Sequence, residues 1–164
     1  MRRLGWIGTT VALLVGALWA GGQVLARRRS VGDATSDEFE LAVYFGGAER
    51  ASTAGSLRRG VVRICCGGVD LDLRGAVLDP GGATLELSPL WGGVNVRVPR
   101  AWRVIVDDRS TLGGVDARVT PHAELPDNAP VLQVVASARL GGVALKSADP
   151  ASEHGHRLRG WAST

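Results

Sequence analysis

The sequence predicts an all-β fold: a single-layered β-solenoid (β-helix) behind one N-terminal transmembrane helix. Three observations predict it. A glycine pair recurs five times, at Gly46-Gly47, Gly67-Gly68, Gly92-Gly93, Gly113-Gly114 and Gly141-Gly142, at intervals of 21, 25, 21 and 28 residues. Such intervals are long enough for one two- or three-strand turn of a solenoid. After each of the last four pairs the residues alternate apolar and polar, the pattern of a strand buried on one face. Near the N-terminus, 23 consecutive residues carry no charge.

A chain of 164 residues has room for one core plus appendages. Its 23 glycines are about twice the ~7% usual share, yet 45% hydrophobic residues exclude a wholly disordered chain. The net charge of +3 would suit a nucleic-acid binder, but its location argues against that function. Arg2, Arg3, Arg27, Arg28 and Arg29 flank the uncharged segment, and the chain beyond Ser30 carries 14 basic against 16 acidic side chains. The basic character belongs to a membrane flank, and no nucleic-acid partner is expected.

The first element, residues 1–29, is the predicted membrane anchor. Residues 4–26 (LGWIGTTVALLVGALWAGGQVLA) would form a helix of roughly 35 Å at ~1.5 Å per residue, enough to cross a lipid bilayer. Trp6 and Trp19 are amphipathic anchors. A cleaved signal peptide is the rival reading, with Arg2 and Arg3 as its basic start, but three arginines directly after the apolar run would hinder export. The excess of arginine on the C-terminal side predicts a single-pass protein of the cell membrane with a cytoplasmic C-terminal domain. Gly8, Ala12, Gly16 and Ala20 form a small-residue stripe along which another membrane helix could pack.

Residues 30–40 (SVGDATSDEFE) have the small, polar composition of a linker. The β-solenoid is assigned to residues 41–146. Beyond it, residues 147–164 lack either periodicity and read as a flexible tail.

Within the solenoid, each glycine pair but the first follows a strand-like run: GVVRICC from Gly60, ATLELS from Ala83, WRVIV from Trp102 and PVLQVVA from Pro130. Pro80, Pro99, Pro121, Pro126 and Pro130 interrupt the domain and exclude helices of ordinary length. The ten glycines are expected at the corners of the turns, where a positive φ or close stacking of one backbone on the next excludes a Cβ. Val69, Leu71, Val94, Val96, Val98, Val115, Val119, Val143 and Leu145 should face inward. If the repeats stack in register, Asp70, Asn95 and Asp116 form one outer column. Asp72, Arg97, Arg118 and Lys146 form another.

Groups with chemistry to offer are few. Asp70 and Asp72 lie two apart on a solvated strand, where carboxylates are usually solubilising charges. Asp107-Asp108 fits a turn. His154 and His156 resemble a metal clip without further ligands, and His122 lies in a separate loop. Cys65 and Cys66 are adjacent, so a bond between them would be strained; they suit a reducing compartment, with one filling the core. Neither a phosphate-binding loop nor a G-x-S-x-G elbow occurs. No enzyme activity, cofactor or metal is expected.

CGGVDLDLRGAVL, followed some twenty residues later by LWGGVNVRVPRAWRV and then LGGV, resembles the C-terminal domain of the LiaF-like family. These are bacterial membrane proteins of the cell-wall-active antibiotic response. The resemblance covers about residues 41–146. It implies a β-helix that restrains a membrane signalling protein, such as a histidine kinase, until the envelope is stressed. This chain carries one apolar segment where better-known members carry several. A bactofilin-like scaffold, self-assembling into a homo-oligomer through the solenoid ends, is the alternative. The proline-rich stretch 121–130 looks like capping and favours regulation. The partner-docking face is then expected at Arg97, Arg118 and Lys146.

Overall fold

The computed structural model describes residues 32–149. The predicted membrane segment 4–26 and the tail with His154 and His156 lie outside the described residues. Among those described, no helix is long and apolar enough to cross a membrane.

Among the described residues seven strands follow one another: β1 (Glu38–Ala51), β2 (Arg59–Asp72), β3 (Ala83–Pro99), β4 (Arg103–Asp108), β5 (Leu112–Arg118), β6 (Val131–Ala136) and β7 (Leu140–Ala148). A 3-10 turn, His122–Glu124, interrupts them in the proline-rich loop. Every strand pairing is parallel and all seven strands belong to one sheet. β1 begins at Glu38, three residues before the boundary read at Leu41. Residues 32–37 are held too, since Thr53 donates to the Ala34 carbonyl at 2.7 Å and Arg58 to the Asp37 carbonyl at 2.8 Å.

The glycine pairs share one register. Gly46 pairs with Gly67, Gly67 with Gly92, Gly92 with Gly141 and Gly141 with Gly113. In β3 the buried residues are Ala83, Leu85, Leu87 and Pro89 before the pair, then Val94, Val96 and Val98 after it. The inward set changes parity at the glycines, so both halves of the strand feed one core.

That register corrects the sequence-order stacking. β3 is followed in space by β6 and β7, and only then by β4 and β5. Burial accounts for the inversion. Leu132, Val134 and Ala136 of β6 are wholly buried, and so strongly apolar a strand gains most from two neighbours. β4 and β5 carry Asp107, Asp108, Asp116 and Arg118, charges that an outermost position tolerates and that discourage further pairing.

The core follows the predicted inward set with one consequence of this order. Val69, Leu71, Val94, Val96, Val98, Val143 and Leu145 are buried, whereas Val115 and Val119 are only partly so because β5 is outermost. Trp102 and Leu57 join the same core.

The two glycines of a pair differ. Gly67 and Gly92 have φ of +148° and +127°, and a Cβ on either would overlap the carbonyl oxygen of the glycine one rung away. A Cβ on Gly68 would sit 3.8 Å from the next rung's carbonyl, and one on Gly93 at 3.3 Å, both at ordinary φ. Gly114 faces open space. A Cβ thus meets a carbonyl head-on at Gly67, Gly92, Gly113 and Gly141, is merely tight at Gly93, and has room at Gly68 and Gly114.

At the β1 end of the stack one charged side chain packs on the core. Arg50 occupies an inward position there, with its guanidinium 4.6 Å over the Phe39 ring. It donates to the carbonyls of Gly32 at 2.9 Å and Asp33 at 2.7 Å. Burial lowers its pKa, opposed by the nearby Asp33 carboxylate. Asp33 in turn accepts from the backbone of Thr35 at 2.9 Å, which fixes the turn.

Candidate interaction face

The predicted docking residues come together on the half-strands after the glycines. Arg97 pairs in register with Lys146, and Lys146 with Arg118. All three are exposed. Their order differs from the sequence-order column because β7 lies between β3 and β5, which puts Lys146 in the middle. Parallel neighbours are ~4.8 Å apart, so three cations stand on adjacent rungs. Like charges so placed repel one another, and the arrangement costs stability unless anions offset it.

Two anions do so in part. Arg118 meets Asp116 at 3.2 Å on its own strand. Beyond Arg97 lies Asp72, whose carboxylate is gripped by Arg74 through contacts of 2.6, 2.9 and 3.1 Å. Arg74 holds the Asp72 carboxyl below the usual carboxylate range, with Arg97 adding to the effect. Among the described residues, Arg97 and Lys146 make no ion pair. Two of the three cations are therefore without an ion pair among the described residues.

The second predicted column is broken. Asn95 donates to Asp70 at 3.1 Å, but Ala144 lies between Asn95 and Asp116. Asp70 and Asp72 lie on one solvated face, and Asp72 is kept an anion by its arginine, the wrong state for a general acid. Asp107 accepts from Arg109 at 2.6 Å and Asp108 from the Ser110 backbone at 2.9 Å, both local turn contacts. His122 Nε2 lies 3.0 Å from the Val104 carbonyl and ties the proline-rich loop to β4. No three potential metal ligands gather among the described residues.

The cysteines depart from the core-filling role read for them. Both are half-buried and unbonded, with their sulfurs 3.8 Å apart, just before the second glycine pair. Burial raises the Cys66 thiol, and its hydrogen bond with Cys65 adds to this.

One feature escaped the sequence reading although its signal was present. The residue preceding every glycine pair is apolar: Phe45, Cys66, Trp91, Leu112 and Leu140. The register aligns them as Phe45, Cys66, Trp91, Leu140, Leu112, and four of the five are exposed.

Compared with protein-family models, with curated proteins and with solved structures, the chain matches none.

Proposed function

We propose that this chain is a membrane-anchored, non-enzymatic regulatory module whose β-solenoid docks an acidic face of a signalling partner on the ladder Arg97–Lys146–Arg118. The observation that carries the reading is the adjacency of these cations on three consecutive rungs, two of them without ion pairs among the described residues. An acidic partner relieves their mutual repulsion, so the charges contribute to capture and register. A solenoid with a corner at each glycine pair is supported by the common register and the change of inward parity there. The LiaF-like resemblance supplies the pathway: restraint of a membrane histidine kinase in the envelope-stress response. The anchor is residues 4–26, and the arginine triplet after it favours a cytoplasmic domain.

The test reverses all three charges, in Arg97→Glu, Lys146→Glu and Arg118→Glu together. The side chains are exposed, so the far-ultraviolet circular dichroism should match that of the parent. Capture of the kinase should fall, and a cell-wall-stress reporter should switch on without antibiotic. A resting reporter and undiminished capture would remove the ladder from the mechanism.

A self-assembling, bactofilin-like scaffold is the second reading, favoured by the outer edge of β4 and β5, which pair only inward among the described strands. A filament needs two open ends; at the other end β1 pairs only with β2 among the described strands, and Arg50 packs over Phe39 while holding the Gly32 and Asp33 carbonyls there. Sedimentation of the chain in detergent should give one module per particle; concentration-dependent growth into long polymers would favour the scaffold.

A further inference from the structure

The exposed column before the glycines sits on a ridge of notable composition. Its register column is Phe45, Cys66, Trp91, Leu140, Leu112, and the residues just before these in the chain are Tyr44, Cys65, Leu90, Arg139 and Thr111. None of the ten is a carboxylate, and the one charge is Arg139, which has no ion pair among the described residues. Trp91 is 66% exposed and Leu112 67%, an unusual placement for large apolar side chains in line.

We propose that this ridge seats in the headgroup region of the bilayer, so that the stack lies along the membrane surface. The proposal rests on the reading of residues 4–26 as the anchor. Five residues separate Ala26 from Gly32, a reach of at most about 20 Å, so an anchored domain is held close to lipid. Tryptophan and leucine beside an arginine are the side chains that settle at an interface, and Arg139 suits anionic headgroups. Five rungs at ~4.8 Å make a ridge about 19 Å long. A lipid surface needs no complementary partner shape, since each inserted side chain contributes separately. The cation ladder lies six residues further along the half-strands, about 20 Å of chain at ~3.3 Å per residue, and stays clear for a partner.

The full chain carrying Cys65→Ser and Cys66→Ser provides the test, with single spin labels at Leu112→Cys, Leu140→Cys or, as a control on the other face, Asn95→Cys. In vesicles of phosphatidylcholine and phosphatidylglycerol, labels at 112 and 140 should collide with dissolved oxygen severalfold more than with a water-soluble nickel chelate, relative to the control. Equal water access at all three positions would overturn the proposal. Dipolar broadening at 112 that disappears on dilution with unlabelled chain would also overturn it, by showing a second copy there. Alkaline carbonate extraction scores the anchor separately. If carbonate releases the chain, neutral-pH co-sedimentation with the same vesicles decides the ridge. Binding reduced at least tenfold by Trp91→Asp, Leu112→Asp and Leu140→Asp together sustains it, and binding that is absent or unaffected ends it.

Discussion

At Gly92 the constraint is geometric: the φ of +127° and the carbonyl of Gly67 leave no room for a methyl group. Its neighbour Gly93 has an ordinary φ and a nearest obstacle 3.3 Å away. Gly92→Ala should therefore cost on the order of 3 kcal/mol and Gly93→Ala below about 1 kcal/mol, read as shifts in urea midpoint. Equal midpoints in the two variants would contradict the stacked-carbonyl explanation. The sequence makes the pairs legible but not the difference within them, because both letters are the same and only the backbone path tells them apart. Carboxylates set a second expectation. Asp79 is held below its ordinary pKa by the Gly81 backbone, Ser56 and Arg58, and Asp72 by Arg74. A depressed carboxyl contributes stability above its unfolded value, about 3.9 for Asp, and loses it as pH falls through the folded value. The melting temperature should drop as pH goes from 5 to about 2.5 across that window. Asp79→Asn should narrow the drop, and an unchanged pH profile would show that Asp79 contributes nothing.

For the strands, position in the sheet governs cost. Leu132 of β6 is wholly buried between two neighbouring strands, so Leu132→Ala should destabilise by roughly 2–5 kcal/mol. Ile105 of the outermost β4 is 45% exposed, and Ile105→Ala should cost less than about 1 kcal/mol. Amide exchange should rank the same way, slowest in β3 and β6 and fastest in β4 and β5. Protection highest in β4 would contradict the observed order. PVLQVVA announces a strand in the sequence, and WRVIV does so equally well. What the sequence could not rank is which of the two goes inside, since both are apolar strand-like runs, yet only β6 pairs with β3 and β4 pairs with β6. The difference lies in long-range burial: an uninterrupted apolar face on β6 against Asp107 and Asp108 at the end of β4.

Across the whole molecule, the placement of the last strand pair decides the candidate face. Members of the cationic column were legible from spacing after the glycines, because register depends only on those pairs. Their order was not, for it depends on β7 entering between β3 and β5. The apolar ridge was written in the same letters, one position before each pair, and only the register makes it a surface. Both features follow from one arrangement, so the arrangement is what most needs measurement. In a chain with Cys65→Ser and Cys66→Ser, cysteines placed in pairs at 97, 118 and 146 report it by oxidative cross-linking. Adjacent rungs bring Cα atoms to ~4.8 Å, within disulfide reach, and alternate rungs leave them at about 10 Å, beyond it. Arg97→Cys with Lys146→Cys, and Lys146→Cys with Arg118→Cys, should each close readily, while Arg97→Cys with Arg118→Cys stays open. Closure of the 97–118 pair with the 97–146 pair left reduced would contradict the account, since it would mean that the strands stack in sequence order after all.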